Sequence, residues 1–118
     1  MTYYSFWCSL WGELIKRVIY YLTEHGSAPF EEWFKALDKL SKAIVIRLIQ
    51  RVASGGAKKS VKSLKNGIYE IKIPHGPGYR VYFAEDQGEI IILLAGGHKK
   101  TQGRDIEKAK EYWRNYGK

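Results

Sequence analysis

The sequence predicts an α+β fold with the element order β-α-α-β-β-β-α: two N-terminal helices pack on a mainly antiparallel four-stranded sheet, and a C-terminal helix closes the chain. Two observations indicate this class. Apolar residues recur at helical spacing over residues 27–55 and again over 105–116. Three strand-like runs, at 68–73, 79–84 and 89–95, are separated by short turn segments, which favours antiparallel pairing.

The first strand and first helix are predicted near the start of the domain. Residues 18–23 form a β-branched and aromatic run that ends at a polar turn containing Gly26. Ser27 is expected to cap the following helix, with Pro29 in its first turn. The predicted core positions of this helix are Phe30, Trp33, Phe34 and Leu37.

A second amphipathic helix follows closely. Ser41 is expected to be its N-cap, and Gly55 and Gly56 are expected to end it. Two consecutive helices of this kind form an αα-hairpin, whose apolar side needs a sheet to cover it. The apolar positions that share one face are Ile44, Val45, Leu48, Ile49 and Val52.

The downstream runs supply that sheet. The run at 89–95 does not alternate between polar and apolar residues, so it is expected to be a central strand buried on both faces. After a glycine-rich loop at 96–104, Ile106, Ala109, Trp113 and Tyr116 lie at helical spacing and predict the closing helix.

Length and composition indicate one domain over residues 16–118, preceded by an N-terminal extension at 1–15. The extension is aromatic, but Glu13 interrupts it and no small-residue cleavage site follows, so we do not interpret it as a secretion signal. The single cysteine, Cys8, excludes an intramolecular disulfide. No Cys/His spacing indicates a metal ligand set, and we expect no metal and no cofactor.

No apolar run reaches the roughly 18 residues needed to cross a bilayer. We therefore expect a cytoplasmic protein without membrane contact. The net charge of +8 is concentrated in residues 39–84, where ten basic residues face Glu70 alone. Such a field attracts polyanions, which leaves nucleic acid and an acidic protein partner as alternatives to a merely solvated basic surface.

Two cations are predicted to face each other on one hairpin. Strand alternation places Lys72 and Arg80 on the same polar face, and symmetric pairing about the turn at 74–78 would put their Cβ atoms about 5 Å apart. Like charges so placed cost stability, which suggests that they receive a phosphate. The alternative is that Glu70 or another carboxylate pairs with one of them and nothing binds.

Further basic residues surround this pair in the sequence. The loop at 96–104 combines glycines with cations ahead of a helix N-terminus, a setting that suits phosphate binding, although no P-loop motif is present. The segment at 58–65 is expected to be a flexible basic arm or a solvated linker. The predicted RNA-contacting residues are Lys58, Lys59, Lys62, Lys65, His75, Lys100 and Arg104.

Four stretches carry a family resemblance: 69–72 (YEIK), 76–83 (GPGYRVYF), 93–102 (LLAGGHKKTQ) and 105–113 (DIEKAKEYW). Together with the element order they resemble the HigB-type, phage-derived branch of the RelE/ParE toxin superfamily. The resemblance covers the chain from Arg17 to its C-terminus.

The resemblance implies a RelE-like fold and a toxin of a type II toxin–antitoxin pair, which cuts mRNA on the ribosome and is neutralised by a helix-turn-helix, HigA-like antitoxin. Such cleavage needs no metal, because the RNA 2′-OH attacks its own 3′ phosphate. By resemblance Arg80 is the transition-state arginine, while Lys72 and Lys99 are catalytic cations. His98 is a candidate acid or base.

The sequence departs from RelE at two places: Asp105 stands near the site of a substrate-stacking tyrosine, and Glu70 replaces a lysine. Two alternatives therefore stay open. One is a ParE-like toxin that poisons DNA gyrase without nuclease activity, since this fold hosts both activities. The other is a degenerate member that serves only as an antitoxin partner. The oligomeric state and codon preference are not predicted.

Overall fold

The computed structural model describes residues 16–117. The predicted extension at 1–15, with Cys8, and Lys118 at the end of the predicted domain lie outside the described residues. The elements are β1 (Arg17–Tyr20), α1 (Pro29–Lys35), α2 (Lys39–Ala53), β2 (Val61–Ser63), β3 (Ile68–Ile73), β4 (Tyr79–Asp86), β5 (Ile90–His98) and α3 (Gln102–Asn115), with 3₁₀ turns at Lys58–Ser60 and Lys99–Thr101.

The strands form one mixed sheet in the order β1-β5-β4-β3-β2. β1 runs parallel to β5, and the other neighbours are antiparallel. The predicted α+β class is confirmed. The sheet has five strands instead of four, because part of the predicted basic arm pairs with β3 as the short edge strand β2.

Helices cover both faces of the sheet. Phe30 of α1 and Val45 and Ile49 of α2 pack on one face, together with Ile71, Val81 and Leu93 of the strands. On the other face, Ala109 of α3 packs with Ile68, Tyr82, Ala84, Ile92 and Leu94. β5 lies between β1 and β4 and is buried on both faces, as its apolar sequence predicts.

Both predicted helix caps are wrong by a few residues. Asp38 caps α2, since its carboxylate accepts hydrogen bonds from the Ser41 N–H (3.1 Å) and the Ser41 hydroxyl (2.6 Å). Ser41 is therefore inside the helix, where it is buried. α1 starts after Ala28 without a side-chain cap, because the Ser27 hydroxyl lies 2.8 Å from the Thr23 hydroxyl instead.

The predicted glycine-rich loop at 96–104 is largely regular structure. β5 continues to His98, and α3 begins at Gln102 after a single 3₁₀ turn. The two glycines explain this: a Cβ on Gly96 would overlap the Trp33 ring on one face, and a Cβ on Gly97 would overlap the Asp105 carboxylate on the other. The strand therefore extends because glycine lets both helical layers approach it closely.

Candidate functional site

Lys72 of β3 and Arg80 of β4 are directly paired across the hairpin, and this confirms the predicted register. Their neighbours on the same face are Glu70 and Tyr82, which are also paired with each other. Tyr82 belongs to the core beneath α3. The polar face of this hairpin is therefore the face on which α3 packs.

The two cations differ in exposure. Lys72 is exposed, whereas the Arg80 side chain retains only 7% of its accessible surface. Arg80 Nη1 donates to the carbonyl oxygens of Gly78 (3.0 Å) and Tyr79 (3.4 Å), so the guanidinium ties down the β3–β4 turn. The sequence indicated the shared face, but not that the start of α3 would cover one of its two cations.

A buried carboxylate compensates the charge of Arg80. Glu70 Oε2 lies 3.9 Å from Arg80 Nε and accepts a 2.6 Å hydrogen bond from Gln102 Nε2, at the start of α3. The contact to Arg80 is an ion pair without a hydrogen bond, and the buried Nε has no hydrogen-bond partner among the described residues. The alternative in which Glu70 pairs with one of the cations is thus present in the structure.

Two further titratable groups lie beside this pair. Burial raises the pKa of Tyr82, and the Glu70 and Asp105 carboxylates raise that pKa further. The Tyr82 hydroxyl is buried and makes no hydrogen bond of regular geometry within residues 16–117, although it lies close enough to the Glu70 carboxylate for that contact to raise its pKa. Asp105 Oδ2 accepts a 2.5 Å hydrogen bond from Thr101 Oγ1 at the start of α3. Glu70, Arg80, Tyr82, Gln102 and Asp105 thus form a polar cluster between the sheet and α3.

Lys99 lies beside the same turn as Arg80. A Cβ placed on Gly78 would be 3.4 Å from Arg80 Nη1 and 3.5 Å from Lys99 Cβ, so these two residues flank Gly78. Lys99 is exposed. The structure therefore brings Lys72, Arg80 and Lys99 together at one end of the hairpin.

His98 is placed differently from the other three predicted catalytic residues. Gly97 meets Asp105 of α3, so strand alternation directs His98 to the opposite face, where its strand partner Tyr79 packs on Trp33. The imidazole Nδ1 of His98 accepts a 3.3 Å hydrogen bond from the Lys100 N–H. In this structure the ring caps the 3₁₀ turn before α3.

The predicted RNA-contacting lysines before β3 lie in or next to short elements of regular structure. Lys58 and Lys59 lie in a 3₁₀ turn, Lys62 in β2, and Lys65 at the following turn with a φ of 73°. All four are exposed. Lys62 pairs with Glu70, so it lies on the α3 face and extends the basic rim outward from Lys72.

The remaining predicted contacts flank the hairpin turn and the start of α3. The half-buried His75 ring lies 6.3 Å from the Tyr79 ring. Lys100 and Arg104 are exposed, and Arg104 Nε lies 3.8 Å from Asp105 Oδ1. These residues surround the hairpin end without forming one contact cluster.

The sequence does not predict that α3 contributes side chains to the polar cluster. The sequence predicts a loop at Gln102 and marks Asp105 only as a departure from RelE, and it indicates no role for Tyr82. The available signal was the glycine pair, because Gly97 in an otherwise apolar strand indicates that another chain segment approaches its backbone. That signal does not say which side chain fills the space.

Residues 16–117 lack two features that would point to other kinds of function. No group of three His, Cys, Asp or Glu side chains is arranged to hold a metal ion. None of the helices in this part of the chain has the length and apolar character needed to cross a membrane.

The α+β fold, in which helices cover both faces of one sheet and the β3–β4 hairpin carries cations, is compatible with the RelE-like class of small proteins. Residues 32–114 match the family model described as phage-derived Gp49-like protein (DUF891), and the chain belongs to this family. The family is of the RelE toxin type and is associated with toxin–antitoxin systems. This agrees with the superfamily that the four sequence stretches resemble.

A protein of Haemophilus influenzae, described as uncharacterized, is 42% identical over 82 residues. The match covers 69% of this chain and 82% of that protein. This likeness supports the family membership and carries no information about activity.

Proposed function

We propose that the chain is a HigB-like toxin of a type II toxin–antitoxin pair and that it cleaves mRNA on the ribosome. The observation that carries this proposal is the convergence of Lys72, Arg80 and Lys99 at one end of the β3–β4 hairpin. Cations grouped in this way stabilise negative charge that develops on a phosphate. The family's association with toxins supports the same class of function.

The chemistry requires no resident cofactor. The RNA 2′-oxygen forms a bond to its 3′ phosphorus, the bond from phosphorus to the 5′-oxygen of the next nucleotide breaks, and a 2′,3′-cyclic phosphate results. One group accepts the 2′ proton and another protonates the departing 5′-oxygen. Lys72 and Lys99 are exposed and would neutralise the phosphate oxygens.

Arg80 acts in this scheme only after a local change. Its Nη1 atom is held by the Gly78 and Tyr79 carbonyls, so a phosphate has to replace these acceptors before the guanidinium can follow the transition-state charge. One of these acceptors belongs to Gly78, a turn residue with a φ of +78°, so the exchange would take place at the β3–β4 turn. His98 can take part in proton transfer only if its ring leaves the Lys100 N–H.

The outer cations would hold the RNA backbone. Lys62 lies on the same face as Lys72, and the exposed Lys58, Lys59 and Lys65 lie in the turns before and after β2. His75, Lys100 and Arg104 flank the hairpin turn and the start of α3. Backbone contacts of this kind give affinity without sequence preference.

The partners follow from the same proposal. A helix-turn-helix, HigA-like antitoxin would neutralise the toxin, and carboxylates of the antitoxin would cover the basic hairpin end. The ribosome and mRNA are the targets, and the site of action is the cytoplasm.

A second candidate is a ParE-like toxin that poisons DNA gyrase without cleaving RNA. The burial of Arg80 favours it, because a guanidinium that serves only to fix a turn leaves no transition-state arginine. The same fold accommodates either activity.

One experiment separates the two candidates. Purified protein is added to translating ribosomes and, separately, to DNA gyrase with plasmid DNA. The proposal expects mRNA cut in the ribosomal A site and gyrase that turns over normally. Stalled gyrase–DNA complexes with intact mRNA would establish the second candidate. If the protein neither cuts mRNA nor stalls gyrase, it is a member that only binds its antitoxin.

A further inference from the structure

The helix α2 carries a charge pattern that the proposed site does not use. Its fifteen residues include four basic side chains and no acidic one. Ser41, Val45, Ile49 and Ala53 are buried, which fixes the face that α2 turns toward the sheet. The exposed positions of α2 are Lys39, Leu40, Ala43, Arg47, Gln50 and Arg51.

These exposed positions fall on one stripe. At about 100° per residue they lie within roughly 120° of the helix circumference. Lys39, Arg47 and Arg51 lie along this stripe, with axial spacings of roughly 12 Å and 6 Å. We refer to these three residues as the α2 ridge.

The ridge has no close ion-pair partner within the described chain. None of the ion pairs found in residues 16–117 includes Lys39, Arg47 or Arg51. Arg47 and Arg51 are separated by one helical turn, and like charges at this spacing destabilise a helix slightly. The arrangement therefore favours an external anion.

The surroundings of the ridge favour a phosphate backbone over a protein partner. Protein interfaces centre on buried aromatic or aliphatic anchors. Among the described residues Leu40 is the large exposed apolar side chain, at 61% exposure, and it stands at one end of α2. The small or polar Ala43 and Gln50 lie between the cations and permit close approach of a backbone.

The ridge and the hairpin cations lie on opposite sides of the molecule. α2 packs on the face of the sheet that contains Ile71 and Val81, whereas Lys72 shares the face of α3. The sheet separates the two surfaces. A single extended RNA strand therefore cannot lie along both over a few nucleotides.

We propose that the α2 ridge binds the phosphate backbone of folded RNA as a docking surface separate from the cleavage site. This deepens the proposed function, on which it rests in part, because a large folded RNA assembly can contact the ridge while the message reaches the hairpin. The ridge holds the protein on its target. It makes no contact with the reacting atoms.

The test compares two variants of equal charge change. Arg47→Glu/Arg51→Glu reverses the ridge, and Lys108→Glu/Arg114→Glu reverses two exposed cations on α3 as the control. Each protein is titrated with purified ribosomes at salt concentrations from about 50 to 200 mM. Far-UV circular dichroism and thermal unfolding verify that all variants fold, and Arg47→Lys/Arg51→Lys should retain binding because point charges suffice.

The ridge variant is expected to bind ribosomes at least tenfold more weakly than the control. Its plot of log affinity against log salt should be shallower by about 1.5, since two phosphate contacts are lost at 0.7–0.9 each. Affinity and salt slope equal to those of the control would overturn the inference. Loss of antitoxin binding with ribosome binding intact would also overturn it, in favour of an acidic protein partner.

The two proposals fail separately. Binding is measured without cleavage, so wild-type protein that binds ribosomes through the ridge but leaves mRNA intact contradicts only the proposed function. If the ridge variant binds ribosomes and cuts mRNA as well as the wild-type protein, only the inference about the ridge is contradicted.

Discussion

Glu70 Oε2 lies 3.9 Å from Arg80 Nε, and both side chains are more than nine-tenths buried between the sheet and the start of α3. Each charge compensates the other in a position that water scarcely reaches. Gln102 binds Glu70, and the Gly78 carbonyl binds Arg80, so the pair connects α3 to the β3–β4 turn. We infer that this pair holds the cation-bearing hairpin in place against α3.

Glu70→Gln should destabilise the fold by about 3 kcal/mol, because removal of one partner leaves the other charge buried and uncompensated. Urea unfolding measures the change. Glu107→Gln is the matched control: Glu107 is 74% exposed and pairs with Lys110 at 3.4 Å, so its loss should cost less than about 1 kcal/mol.

A double-mutant cycle with Arg80→Met isolates the pair. The double variant should be less destabilised than the sum of the two single variants, by about 0.5–3 kcal/mol. Additive single effects would show that the two charges do not interact and that the pair does not hold the hairpin in place.

Lys72→Ala should reduce mRNA cleavage about 10²-fold or more, because an exposed cation that neutralises the phosphate is lost. Its free energy of unfolding should change by no more than about 0.5 kcal/mol, as Lys72 is exposed and forms none of the ion pairs found in residues 16–117. Single-turnover cleavage on programmed ribosomes measures the rate. Lys108→Ala on α3 serves as the control, and equal rates for the two variants would remove Lys72 from the site.

Gly97→Ala should destabilise the protein by about 1–3 kcal/mol, since the new Cβ would overlap the Asp105 carboxylate and lie 2.9 Å from Thr101 Oγ1. Gly103→Ala makes the same change at the second residue of α3, where the new Cβ has nothing within 4 Å, and it should stabilise the helix by up to about 1 kcal/mol. Differential scanning calorimetry compares them. A neutral Gly97→Ala would mean that α3 does not approach β5 as closely as described.

Tyr82→Phe should leave stability unchanged or raise it slightly at pH 7, because the buried hydroxyl makes no hydrogen bond of regular geometry within the described chain. A loss above about 1 kcal/mol would instead reveal a bonded hydroxyl.

The same variant should change the alkaline limb of the stability curve. Burial, then Glu70 and Asp105, raise the pKa of Tyr82 in the folded state above its ordinary value of 10.0. Below pH 10 the phenol is neutral in the folded and the unfolded protein, so its ionisation does not reduce folding stability. As the pH rises above 10 toward the raised pKa, the unfolded protein releases the phenol proton more readily, and folding stability falls. Denaturant unfolding between about pH 9 and 11 should show a smaller loss of stability for Tyr82→Phe than for wild type, and identical curves would contradict the shift.

The elements that follow from periodicity were predictable. The hairpin register that opposes Lys72 and Arg80 follows from strand alternation and a symmetric turn, and the structure has it. The buried face of α2 follows from its apolar spacing. In both cases the information is local, since residues a few positions apart determine the pattern.

The missed features depend on contacts between distant segments. β2 contains one apolar residue, Val61, and becomes a strand only because β3 offers it an edge. Arg80 is buried under the start of α3, where Gln102 binds its partner Glu70 and Asp105 packs on its strand neighbour Gly97. No pattern within β4 reveals this cover. The cap at Asp38 was missed because Ser41, a residue equally suited to capping, lies three positions further on.

The central claim is that the grouped cations Lys72, Arg80 and Lys99 act on an RNA phosphate. The most direct measurement is primer extension across a defined message on translating ribosomes, with wild-type protein and the Lys72→Ala and Lys108→Ala variants side by side. The account predicts A-site cuts with wild type and Lys108→Ala and a nearly uncut message with Lys72→Ala. A message left intact by folded wild-type protein, or cut equally by all three, would contradict it.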